Sequence, residues 1–297
     1  MGLSWPIRLR ITGAVSIGVV LIGFFGWLLV TPVEPFGTVS MPTFGGGITL
    51  LFLSVFAGFF SYFISWPYGR EIAVLSVPAG LAVWALKGGE VAEVIMLNPM
   101  PGQRKSIFVE FQWETFFLLA IVVAGFVGVL FGQLIFRQKI GLDRKREKPD
   151  SMHKPYLNAA VALVGSTLIA HILIRFFAQD VKVFDSKFGS VVAQPAVGQI
   201  AFAVLVSFGA AAFLFKKILN VGYIWSILAT AIVTFYAFIS YANQNSLQYL
   251  VNNWPAAFSP NAVSLILPVQ MVAFGTLGSI IGYWLAIRYS YWRQNLV

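Results

Sequence analysis

His171 and Arg175 stand one helical turn apart near the end of an apolar run, so on a helix they share a face. An imidazole there could ligate a haem iron or meet a quinone carbonyl, and a guanidinium could contact an anionic headgroup. Bis-histidine haem would need a second membrane histidine, and His153 falls in a basic loop. The pair fits a structural role as well, with His171 hydrogen-bonded inside a bundle and Arg175 reaching the interface near Asp180. These two are the candidate ligand-binding residues, and no cofactor or metal is assigned.

Carboxylates give the next test. Glu34, Glu71, Glu90, Glu93, Glu110, Glu114, Asp180 and Asp185 all fall at or beyond the ends of the expected spans. That placement leaves the membrane interior without an acidic group. Proton- and sodium-coupled carriers usually bury one, so the sequence argues against a classical coupled carrier. A passive pore, or a carrier working through backbone carbonyls and Gln133, Gln199 or Gln270, stays compatible with it.

Motifs for covalent or hydrolytic chemistry are missing. The sequence has no HExxH, GxSxG, Walker A or paired membrane aspartates. Lacking cysteine, it has no disulfide, thiolate nucleophile, iron–sulfur ligand or cysteine-bound zinc. Hydroxyls such as those of Ser166 and Thr167 are the kind that bond back to the preceding helical turn. Nothing positive supports an enzyme.

Basic residues cluster in the loop Arg137–Lys154. Such a loop fixes topology and lies against anionic headgroups at ~1 kcal/mol per basic residue; a cytoplasmic partner docking on 137–156 is the alternative. Nucleic acid is not expected, because nothing else on that side forms a binding surface.

The elements that position these residues follow from charge-free gaps, since an ionised side chain at the bilayer centre costs at least ~2.5–3.5 kcal/mol. The gaps place helices near 11–30, 46–66, 72–86, 115–136, 157–176, 196–215, 221–242 and 264–287. The chain is 58% hydrophobic and 10% charged, with a mean hydropathy of +0.81. A soluble domain carries about 25% charged residues, so the fold class is all-α, a polytopic integral membrane protein with the lipid bilayer as its first partner. Arg8 and Arg10 precede Ile11–Val30, which reads as a retained first helix and not a cleaved signal, because no small-x-small site ends it.

Of the 20 Lys and Arg residues, 14 fall on the side that bears the N-terminus, the Pro67–Glu71 turn, the 137–156 loop, Lys216-Lys217 and the C-terminus. The positive-inside rule makes both termini cytoplasmic, as in a prokaryotic inner membrane. The spans then divide into a first half, 1–137, a basic loop, 138–156, and a second half, 157–297. Gly128-x3-Gly132 followed by Arg137 matches Gly278-x3-Gly282 followed by Arg288. The match suggests two parallel four-helix repeats, and glycines at these positions would let another backbone approach closely.

Between the spans, 90–97 and 106–112 read as a hairpin, from the alternation of Ile107, Val109 and Phe111. Residues 245–254 read as a short amphipathic helix lying on the membrane, from the spacing of Leu247, Leu250 and Val251. Close-packing glycines, structured apolar loops and the missing catalytic set together suggest a non-enzymatic membrane subunit that scaffolds a larger complex. A channel or uncoupled carrier for a small neutral or lipid-like solute is the first alternative. A quinone- or haem-associated respiratory anchor is the second.

Overall fold

The computed structural model describes residues 4–30, 44–140 and 155–294. Most of the basic loop, 141–154, lies outside the described residues, with His153, and so does Glu34. Ten helices and a small sheet follow in order: α1 Trp5–Val30, α2 Phe44–Ile64, α3 Gly69–Lys87, α4 Val91–Leu97, α5 Pro101–Ile140, α6 Pro155–Phe177, β1 Lys182–Asp185, β2 Gly189–Ala193, α7 Val197–Leu219, α8 Ile224–Tyr241, α9 Gln244–Asn253, β3 Phe258–Ser259 and α10 Pro268–Gln294. Among the described residues, α1, α2, α3, α5, α6, α7, α8 and α10 are the 8 helices long and apolar enough to cross a membrane. The protein is an all-α polytopic membrane protein. Residues 19–26 of α1 are wound as a π-helix, and α3 passes through a 3₁₀ turn at Ala73–Leu75.

Glycines set the closest crossings. A methyl group on Gly128 of α5 would run into the Val55 carbonyl of α2, and one on Gly132 would meet the Tyr62 ring. In the second half, a methyl group on Gly278 of α10 would run into the Leu205 carbonyl of α7, and one on Gly282 into that of Gly209. Only a residue without a side chain lets backbones pass at this separation. The same interval separates Val55 from Leu205 as separates Gly128 from Gly278.

The halves meet through α3 against α10 and α5 against α8. Phe108 and Phe111 of α5 pack on Phe238 and Tyr241 of α8, with the Phe108 and Tyr241 rings 4.3 Å apart. All four side chains are buried, so this contact is filled by rings. Gln270 of α10 crosses the other contact: its Nε2 donates to the carbonyls of Ala85 and Gly89, and its Oε1 accepts the Leu267 N–H.

Several sequence expectations need correction. Residues 90–112 form no hairpin. Glu90 and Glu93 cap α4 reciprocally, each side chain accepting the other's backbone N–H, and α5 then starts at Pro101, where the missing N–H costs nothing. The fourth span starts well before residue 115, because α5 runs for 40 residues, roughly 60 Å, twice the hydrocarbon thickness. Glu110 and Glu114 consequently lie inside a helix and not at its end. The segment after α6 instead carries two of the three strands found among the described residues. Antiparallel β1 and β2 are joined by Ser186–Phe188 and Gly189, whose φ of 74° places it in the left-handed region, and β3 adds to β2. The helix expected at 245–254 is present as α9, but its Leu247 and Leu250 are buried in the chain's own core and are not presented to lipid.

Candidate functional site

Strands β1–β3, helices α4 and α9 and the 3₁₀ turn Ala262–Leu265 gather at one end of the bundle as a cap. Two polar side chains hold it. Gln194, just past β2, accepts the Ala92 N–H of α4 and donates to the Leu265 carbonyl, tying first-half and second-half elements together. The second is Asp185, at the end of β1. Its Oδ1 accepts the backbone N–H groups of Lys187 and Phe188, and its Oδ2 accepts the Tyr249 hydroxyl and the Trp254 indole N–H. Desolvation opposes ionisation of this carboxyl. The donors of Phe188, Trp254, Tyr249 and Lys187 outweigh it and hold Asp185 below the ordinary carboxylate range. The Lys187 ammonium donates to the Asn245 carbonyl and lies over the Tyr249 ring, which closes the β1–β2 turn onto α9.

Below the cap, Glu114 is the residue that the sequence placed wrongly. It is 2% exposed, and both of its carboxyl oxygens are buried without a hydrogen-bond partner. The cap-side end of α8 is Tyr241, whose ring lies tilted against that of Phe108; Glu114 is six residues further along α5, ~9 Å deeper into the bundle. Phe116 beside it contacts Phe235 of α8. The expectation that every one of these carboxylates lies at or beyond a helix end fails here. A pattern of charge-free gaps reads any charge as the end of a span, whereas α5 carries its charges inside the helix.

His171 sits in the last third of α6 with its ring 5.8 Å from that of Tyr236, edge to face, and its Nδ1 is buried without a hydrogen-bond partner. Arg175, one turn on, is exposed. The candidate ligand pair therefore shares a helix and not an enclosed site, and α6 is kept apart from the α5 and α10 glycines. Ser166 pairs with Ser226 of α8 at 3.0 Å, while the Thr167 hydroxyl donates to the Leu163 carbonyl one turn back. Gln199 donates to the carbonyls of Phe177 and Gln179 at the end of α6. Among the described residues, no three His, Cys, Asp or Glu side chains converge as a metal site.

The far end of the bundle is basic and aromatic. Lys216 lies over Tyr283 and Lys217 over Tyr289, with Arg293 and Ser290 beside them around a shallow concavity. Tyr223 bridges Phe126 of α5 and Tyr283 of α10 at that end. No family model, curated protein or solved structure matches the chain.

Proposed function

We propose that the chain is a non-enzymatic membrane subunit that assembles a larger membrane complex, with the eight-helix body as anchor and the cap as docking face. One observation carries this reading: the cap is fixed from within yet displays apolar side chains outward. Gln194 and Asp185 use part-buried polar bonds to lock strands and helices from both halves. Phe184, on the edge strand β1, is 80% exposed, and Met96 and Met100, flanking the turn after α4, are 69% and 64% exposed. A rigid surface with large exposed apolar groups loses little entropy on binding and gains burial, which is what an obligate docking face needs. On the positive-inside orientation the cap faces away from the cytoplasm, and the loop at 137–156 is a second docking element on the cytoplasmic side.

The test is purification from the native membrane in mild detergent. A stoichiometric partner should co-migrate with the wild-type chain and be lost from Phe184→Asp and Met96→Asp variants that keep their helicity and melting temperature. A wild-type chain that runs alone, or a partner retained by both variants, would overturn the proposal.

A further inference from the structure

Glu114 is used neither by the packing nor by the cap. A carboxylate has about four lone-pair positions, and its burial is compensated by donors or by a counter-charge. Donors are absent: neither oxygen has a partner, and the hydroxyls nearest this level are committed to their own helices. Thr115 donates to the Phe111 carbonyl, and Thr234 of α8 donates to that of Thr230.

On α5 and the elements around it, Arg104, Lys87, Tyr62, Tyr283 and Tyr249 are engaged elsewhere, and Tyr236 of α8 meets the His171 ring. Arg104, ten residues and ~15 Å toward the cap, donates from Nε to the Asn98 carbonyl and lies near Tyr241 of α8. Lys87 of α3 lies over the Phe24 and Trp27 rings. Tyr62 of α2 packs on Gly132, and Tyr283 of α10 meets Tyr223 edge to face; both contacts are toward the other end of α5. Tyr249 of α9 bonds Asp185. Glu110, one turn from Glu114 on the cap side, is exposed and lies between the buried carboxyl and the cap along α5.

From this arrangement we infer that Glu114 is a binding site for one monovalent cation, a proton or a sodium ion, entering from the cap side past Glu110. A single buried negative charge is cancelled by a single positive one. A divalent ion would leave a net charge buried, because Glu110 is in contact with solvent and does not converge on the site. The site belongs to the membrane body and does not depend on what docks at the cap.

Carbodiimide labelling of the full chain in lipid nanodiscs tests this. In sodium-free buffer at mildly acidic pH, dicyclohexylcarbodiimide adds across the Glu114 carboxyl. The acid proton goes to a reagent nitrogen and the carboxyl oxygen to the central carbon, and where water is excluded the adduct rearranges to a stable N-acylurea that contains the whole reagent. Peptide mass spectrometry should find the adduct on Glu114 and not on the hydrated Glu110, and Glu114→Gln should remove it. Two arms separate the cations. If sodium is the ion, sodium at about ten times its dissociation constant lowers the labelling roughly tenfold at constant pH. If the proton is the ion, sodium leaves the labelling unchanged. An intact chain whose Glu114 takes no reagent, or whose adduct persists on the same peptide in Glu114→Gln, would overturn the inference.

Discussion

The indole N–H of Trp254 donates to Asp185 Oδ2 at 2.7 Å, joining the end of β1 to the residue that closes α9. The bond makes one carboxylate the fastener between a β-hairpin and a helix 69 residues away in sequence. Its donors favour the ionised form, so Asp185 is held below the ordinary carboxylate range once the cost of desolvation is overcome. The stabilisation is complete above the unfolded value near pH 3.9 and is lost as pH falls through the lower folded value. Amide exchange across 182–193 and 244–254, corrected for intrinsic rates, should therefore stay constant from about pH 7 down to about pH 5 and rise only below the unfolded value. Asp185→Asn should raise cap exchange several-fold already at neutral pH and leave α5 and α10 unchanged. Equal exchange in the two proteins at neutral pH would contradict this account.

Gly128 and Gly278 should respond alike to a single added methyl. In both, the new carbon meets a carbonyl of the crossing helix, and two backbones have to separate. Gly128→Ala and Gly278→Ala should each cost roughly 1–3 kcal/mol, the usual penalty of overpacking. Gly198→Ala is the control. Nothing stands within 4 Å of its added carbon, and losing a helical glycine there should be neutral or stabilising by up to about 1 kcal/mol. Denaturant titration in detergent measures all three, and closely matched losses at the two crossings are what a duplicated plan requires.

How far the sequence discloses this fold can be argued from α5 and the cap. Helices without internal charges, such as α2 and α8, can be read directly, because an apolar run has nowhere to lie but lipid. Glu114 defeats that logic: its burial arises from how α5 packs in the bundle, which is tertiary information. The hairpin expected at 106–112 rested on alternation at Ile107, Val109 and Phe111. The buried residues of that stretch are Phe108, Phe111 and Gln112, followed by Glu114 and Thr115, a helical spacing visible in the sequence once Pro101 is taken as a helix start. The strands after α6 had a signal too, since Asp185-Ser-Lys-Phe-Gly189 between short apolar runs is hairpin chemistry. Trp254 as the partner of Asp185 had none, for no local pattern pairs residues so far apart.

Gln270 tests whether the two halves are joined by polar bonds as well as by packing. Gln270→Leu keeps the volume but leaves the Leu267 N–H and the carbonyls of Ala85 and Gly89 without their partner in a dry interface. An orphaned buried group costs about 1–3 kcal/mol, so a loss of roughly 2–4 kcal/mol is expected. The chain has no cysteine, so cysteines introduced at Gly88 and Val269, whose side chains would approach each other, report on the interface directly. Their cross-linking should slow in Gln270→Leu and be restored by Gln270→Asn to the extent that its shorter amide still reaches one carbonyl.

His171 should behave in the opposite way. Its Nδ1 is buried without a partner, so the fold already carries a desolvation cost that an apolar side chain would remove. The ring contributes packing against Tyr236, and leucine fills much of the same volume on a helix that favours it. His171→Leu should therefore be neutral or stabilising by up to about 1 kcal/mol, because deleting an unsatisfied polar group gives back its penalty. His171→Ala should cost more than His171→Leu, since it loses the ring contact and leaves a gap. This order holds only if the imidazole has no ligand in the native membrane. A haem or quinone held by His171 would reverse it: His171→Leu would then lose both the ligand and the stability that binding adds. Melting curves of the two variants, read beside the visible absorbance and the extracted quinone of the wild-type protein, decide between a tolerated orphan and a ligand-binding residue.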